Sequence, residues 1–115
     1  MALEISQDDI LETEIRKALP DHALVMLAGE LDTSNVSRIY EVFAELTGTG
    51  VRHIALNLAE LEFVDSTGLS AIIALHKRTQ QLGGELIIFS PKPAVRNLFV
   101  VTGINEYLDI RPLKP

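Results

Sequence analysis

Residues 23–46, ALVMLAGELDTSNVSRIYEVFAEL, are where the reading of the fold is decided. Ala23–Ala28 is a continuous apolar run of strand length. Such a run predicts a central strand covered on both faces, with helix as the alternative that periodicity alone leaves open. Gly29-Glu30-Leu31-Asp32-Thr33-Ser34 breaks the run and supplies several N-cap side chains. Val36, Ile39, Tyr40, Phe43 and Leu46 then recur at the spacing of one apolar helix face. Gly48 and Gly50 end that helix.

The alternation continues on both sides. Upstream, Glu14–Leu19 reads as a first strand and Pro20-Asp21 as a turn, too short for a crossover, so this strand is expected to pair antiparallel at an edge. Downstream, Ile54, Leu56 and Leu58 alternate as a strand, and after Phe63-Val64 comes the loop Asp65-Ser66-Thr67-Gly68. Leu69, Ile72, Ile73 and His76 share a second helix face, closed by Gly83-Gly84. Leu86–Phe89 reads as a buried strand, and Pro93 suits the first turn of a third helix with Val95, Leu98 and Phe99 inward. Gly103 ends it, and Asp109–Arg111 reads as a last short strand. The expected architecture is α/β: one domain with a mostly parallel sheet of four to five strands, right-handed crossovers and about three helices.

A chain of 115 residues fits one domain, since domains run about 100–150 residues. Residues 1–11 read as an acidic N-terminal extension, either a fraying end or an edge strand, and residues 12–115 as the domain itself. A formal net charge of −6 disfavours phosphate backbones and anionic lipid surfaces, so neither nucleic acid nor membrane is expected as a partner. With no cysteine, disulfides, thiolate catalysis and cysteine metal sites are excluded. Met1–Ile10 lacks the basic start and apolar run of a signal peptide, and a cytoplasmic location is the expectation.

In an open α/β sheet, functional loops gather beyond the carboxyl ends of the parallel strands. Three loops qualify, and together they bring Asp32, Thr33, Asp65, Ser66, Thr67, Ser90 and Lys92 to one expected rim. Ser66 has two readings. Asp65, Ser66 or Thr67 can simply cap the second helix. Alternatively, the Ser66 hydroxyl is presented to a kinase, and a phosphate there adds about −1.5 to −2 charges near a helix N-terminus that tolerates anions. His22, His53 and His76 lack metal-site spacing, Gly48-Thr49-Gly50 lacks the flanking strand and lysine of a phosphate loop, and no Gly-x-Ser-x-Gly elbow occurs.

The segment from Asn57 to Ser70, NLAELEFVDSTGLS, resembles the signature of the STAS domain in its anti-sigma-factor antagonist form. Gly29-Glu30-Leu31-Asp32, Gly83-Gly84-Glu85-Leu86, Ser90-Pro91, Val95 to Phe99 and Thr102-Gly103-Ile104 resemble further family elements in the family's order, from about Glu14 to Arg111. The resemblance implies a non-enzymatic partner switch. Its unphosphorylated form binds an anti-sigma factor that is also a serine kinase; phosphorylation of Ser66 releases that partner, and a metal-dependent serine phosphatase restores the first state. ATP and magnesium then belong to the kinase, and no cofactor is expected in this chain. By the same resemblance Asp32 and Asp65 are rim carboxylates that contact the kinase or orient the acceptor, with solvated loop acids or caps as the plainer reading. Thr33, Thr67, Gly68, Leu69, Ser90 and Lys92 complete the expected partner-binding set. Family members usually continue into a further helix where this chain ends at Lys114-Pro115. The competing readings are a scaffold or regulator of a non-sigma pathway, such as a stress-signalling assembly or secretion control, and a small α/β enzyme or nucleotide-binding domain.

Overall fold

Strand β4, His53–Val64, lies inside the sheet and shows how it is built. Ile54, Leu56 and Leu58 are buried while His53, Ala55, Asn57 and Ala59 between them are half-buried, so one face meets the core and the other does not. The same alternation runs through β3, His22–Leu31, and β5, Glu85–Phe89. The parallel registers Val25 to Leu56 and Leu56 to Ile88 put the buried side chains of all three strands on one side.

The structure is a computed structural model and describes residues 2–7 and 11–112. Its elements run β1 (Ala2–Gln7), β2 (Leu11–Leu19), β3, α1 (Val36–Gly48), β4, α2 (Ser66–Gln81), β5, α3 (Pro93–Val101), a single 3-10 turn (Ile104–Glu106) and β6 (Asp109–Arg111). The strands form one sheet whose spatial order is the order of the chain. β1 pairs antiparallel with β2 and β2 with β3, whereas β3–β4, β4–β5 and β5–β6 are parallel. This is the mostly parallel α/β sheet with three helices that the alternation predicts, with Ala2–Gln7 as an additional edge strand. Of the acidic extension expected over residues 1–11, Met1 and residues 8–10 lie outside the described residues, as do residues 113–115 at the other end of the expected domain. Leu11 opens β2 and is 2% exposed in the core.

Two expectations are corrected. The apolar runs Ala23–Ala28 and Leu86–Phe89 are covered on one face only: Leu24, Met26 and Ala28 on β3, and Ile87 and Phe89 on β5, are half-buried. The cause is topological. Strands laid down in chain order by crossovers of one hand bring every helix back to the same face. α1 accordingly packs on α2, α2 on β4 and β5, and α3 on β4. Ile39, Val42, Phe43 and Leu46 of α1, Leu69, Ala71, Ile72 and Leu75 of α2, and Val95 and Phe99 of α3 close the core over that face. Tyr40, expected to face inward, is exposed because Val42 takes the inner position.

On the open face the register places His22 beside His53, and their rings stack with centroids 4.4 Å apart. His22 Nδ1 lies 2.8 Å from Asp21 Oδ1 and His53 Nδ1 3.0 Å from Glu85 Oε2. Among the described residues no group of His, Asp or Glu is arranged to hold a metal ion. Among the described residues no helix is long and apolar enough to cross a membrane either.

Candidate functional site: the rim at the start of the second helix

The loop between β4 and α2 begins where two strands end together. Leu31 and Val64 are register partners at the ends of β3 and β4, and the Asp65 amide donates to the Leu31 carbonyl at 3.1 Å. This bond carries the loop after β4 against the loop after β3. Asp65 then adopts an extended conformation as the N-cap of α2, and its Oδ1 accepts the Gly68 amide at 2.8 Å. Of the three capping side chains the sequence offers, Asp65 is the one used.

Asp65 also ties the two loops together. Its Oδ2 accepts the Thr33 amide at 3.1 Å, and the Thr33 hydroxyl lies 3.2 Å from the same oxygen and 3.0 Å from Thr67 Oγ1. A carboxylate that accepts several donors is stabilised in its charged form. The Gly68 amide has the largest effect in holding Asp65 below its ordinary value of 3.8; partial burial opposes it, and Thr33's amide and hydroxyl and the Thr67 amide act in the same direction as Gly68.

Ser66 is the first residue of α2 and is exposed. Its hydroxyl makes no hydrogen bond among the described residues, so the helix start is held without it. Asp32 is half-buried in the facing loop, and its Oδ1 accepts the Ser34 amide at 2.9 Å and the Ser34 hydroxyl at 2.6 Å. The carboxylate is thus held by its own loop rather than by Asp65. Beneath it, Asn35 is 4% exposed; its amide group donates to the Glu30 carbonyl at 2.9 Å and its Oδ1 accepts the Asp32 amide at 3.0 Å. Sequence reasoning passed over Asn35. The signal available for it is an asparagine three residues after Asp32, the spacing at which a side-chain carbonyl closes a tight loop.

Gly68 and Leu69 are buried under the rim, with Leu69 only 6% exposed, so neither offers a partner a surface side chain. Gly68 sets the closeness of the helix to the strand: a Cβ there would lie 2.9 Å from both Leu31 Cγ and the Leu31 carbonyl oxygen.

The third expected loop is set back. β5 ends at Phe89 opposite Asn57, while β4 continues to Val64, so Ser90–Lys92 runs beside the later part of β4 instead of beside Ser66. Lys92 Nζ reaches Glu62 Oε2 at 3.5 Å, and this ion pair links the third loop to the rim. Ser90 turns the chain out of β5 in the left-handed region, φ 55°, and its amide donates to the Arg111 carbonyl at 2.9 Å. The arrangement as a whole presents one unengaged hydroxyl among carboxylates and hydroxyls that are themselves held.

The STAS domain family profile matches residues 14–114. A relative named anti-sigma-B factor antagonist from Staphylococcus aureus is 31% identical over 86 residues, which is 75% of this chain and 80% of the relative. One of the same name from Listeria monocytogenes is 28% identical over 104 residues, 88% of this chain and 89% of the relative. Among solved structures, the anti-sigma factor antagonist SpoIIAA in its unphosphorylated form shares the fold with a TM-score of 0.77 at 22% identity, covering 89% of this chain and 88% of that one. The Bacillus cell fate determinant SpoIIAA in its phosphorylated form aligns with a TM-score of 0.72 at 21% identity, covering 89% and 91%.

Proposed function

The chain belongs to the STAS domain family, and on that premise we propose that it is an anti-sigma-factor antagonist that switches partners through Ser66. Unphosphorylated, it binds an anti-sigma factor with serine kinase activity in the cytoplasm. Phosphorylated on Ser66, it lets that partner go, and a metal-dependent serine phosphatase returns it to the binding form. The catalysis lies in the partners, and Ser66 is their substrate.

One observation carries this reading. Ser66 stands exposed at the first position of α2 while Asp65 does the capping. A phosphate on Ser66 therefore costs the fold no existing bond, and the free amides of the helix start tolerate its charge. The surface, in contrast, changes sharply: about −1.5 to −2 charges and three acceptor oxygens appear beside Asp65. A partner that had packed against a neutral hydroxyl must now desolvate an anion. An altered surface on an unaltered fold is what a binding switch requires. Asp32, Thr33, Asp65, Thr67 and, through Glu62, Lys92 form the polar part of the contact surface in this reading.

The test is phosphate mapping by mass spectrometry after incubation with the candidate serine kinase and ATP, together with binding of wild type, Ser66→Ala and Ser66→Asp. Ala should keep binding and Asp should lose it by at least about tenfold, the equivalent of ~1.4 kcal/mol. Equal binding by all three proteins, or phosphate found only elsewhere, overturns the proposal.

A further inference from the structure

Phe63 is 49% exposed, although Val64, its neighbour along the strand, is 5% exposed and Leu61 is fully buried. The register of β4 explains the difference in direction: two irregularities in its pairing with β3, between Met26 and Ala28 and between Gly29 and Glu30, interrupt the alternation, so Leu61 and Val64 both face the core while Phe63, next to Val64, faces away from it. It does not explain the residue type, because that face of β4 otherwise carries Ala55, Asn57 and Ala59. A large ring left half in water adds little to stability here.

Its position does single it out. Phe63 stands three residues before Ser66, within the roughly 10 Å that three residues of chain can span. A partner surface that covers Ser66 and extends across the end of β4 meets this ring. The rest of the rim is polar and already hydrogen-bonded internally through Asp32, Thr33 and Asp65, so it offers recognition but little desolvated area. Binding energy in protein interfaces concentrates in a few residues, aromatic side chains prominent among them, surrounded by polar contacts that exclude water. Leu19, Val100, Val101 and Tyr107 are more exposed than Phe63, but Leu19 lies at the turn from β2 into β3, Val100 and Val101 at the end of α3, and Tyr107 after the 3-10 turn that follows, away from the rim.

We propose that Phe63 is the apolar anchor of the partner interface, so that the contact surface wraps from the start of α2 onto the open face of the sheet. The inference rests on the proposed switch function. It also specifies the partner's surface there: an apolar recess for the ring, with a cationic lip toward Glu30, the exposed carboxylate in register with Phe63 across β3. Glu62 on the other side is paired with Lys92 and makes less demand on the partner. The anchor and the switch are then separate parts of one interface. Phe63 supplies affinity in the unphosphorylated state, and Ser66 decides whether the surfaces can close.

The experiment measures binding of the phosphorylating kinase to wild type, Phe63→Ala, Phe63→Leu and Ser66→Asp, with thermal melts of each and the kinetics of Ser66 phosphorylation. Phe63→Ala should bind roughly 30-fold more weakly, the size typical of a hot-spot truncation. Phe63→Leu should recover most of that loss, and the melts should match wild type. Phosphorylation of Phe63→Ala should show a raised KM with kcat retained, since the ring touches no reacting atom. If Ser66→Asp loses binding while Phe63→Ala stays within twofold of wild type, the anchor is refuted and the switch stands. If Ser66→Asp binds like wild type, the switch itself fails. Should Phe63→Ala melt early, fluorophenylalanine labelling of the wild-type chain decides: a Phe63 resonance that shifts with partner supports the anchor, and an unmoved one refutes it.

Discussion

Replacing Gly68 by alanine tests how tightly α2, the helix that begins at Ser66, is seated on the strand below it. Two effects oppose each other. Alanine is favoured over glycine in a helix by about 1 kcal/mol. Against this, the new Cβ would lie 2.9 Å from Leu31 Cγ, 2.9 Å from the Leu31 carbonyl oxygen and 3.0 Å from Val64 Cγ1. None of these neighbours retreats easily. Leu31 is fully buried, its carbonyl accepts the Asp65 amide, and its backbone is in register with Val64. Overfilling a packed site of this kind costs about 1–3 kcal/mol. Relief by lifting the first turn of α2 would stretch the 2.8 Å bond from the Gly68 amide to Asp65. With three contacts at 3.0 Å or less the upper part of that range applies, about 2–3 kcal/mol; less the propensity gain, the net loss is about 1–2 kcal/mol, a fall in Tm of roughly 4–8 °C for a domain of this size. Gly48→Ala is the matched control. Gly48 is the last residue of α1 and a Cβ there meets nothing within 4 Å, so only the propensity gain remains, up to about 1 kcal/mol of stabilisation. Thermal unfolding followed by circular dichroism measures both proteins. Gly68→Ala as stable as wild type, or more so, would refute the close-seating argument, the more so if Gly48→Ala gained the same amount.

Thr33→Val removes the hydroxyl that reaches Asp65 and Thr67, and the Asp65 titration midpoint should move up toward its ordinary 3.8 in a carbon-13 NMR titration; an unmoved midpoint would show that Thr33 does not tune the carboxylate. Asp21, held low by the His22 hydrogen bond, Asp65, held low by the Gly68 amide, and Asp109, held low by the Arg111 hydrogen bond, all bind protons less readily folded than unfolded. Their contribution to stability is therefore complete above the unfolded carboxylate range near pH 4 and lost as pH falls through their lower folded values. Denaturant midpoints should be flat from about pH 5 upward in this respect and drop below pH 4, and a midpoint rising on acidification would contradict the assignment. Gly84→Ala would drive a Cβ into the Arg52 carbonyl, which accepts the Glu85 amide at 2.8 Å where β5 begins. It should be among the most damaging single changes to soluble yield and Tm, and a wild-type melt would show that β5 starts less closely against β4 than described.

The alternation of apolar runs with helical faces made the α/β class, the three helices and the parallel core legible, because hydrophobic period is a local property of the chain. The loop that carries Ser66 was legible for the same reason: Asp65, Ser66 and Thr67 stand before a helical pattern, and capping is local chemistry. Which of them caps was not. That choice follows from the Asp65 amide meeting the Leu31 carbonyl and from the closeness Gly68 permits, contacts between residues more than thirty positions apart. Asn35 escaped notice because its role depends on the loop path it helps to create. The third loop was misplaced relative to Ser66 because strand lengths differ, and β4 outruns β5 only through its pairing with β3. The apolar runs of β3 and β5 promised cover on both faces, since composition records how apolar a strand is and not what lies on each side. Sequence alone thus determined most of the elements and singled out the Ser66 hydroxyl as the candidate acceptor. Tertiary structure decided what that hydroxyl is spared from doing, and left one face of the sheet open with Phe63 at its edge, because strand order and crossover hand are settled only when the elements assemble.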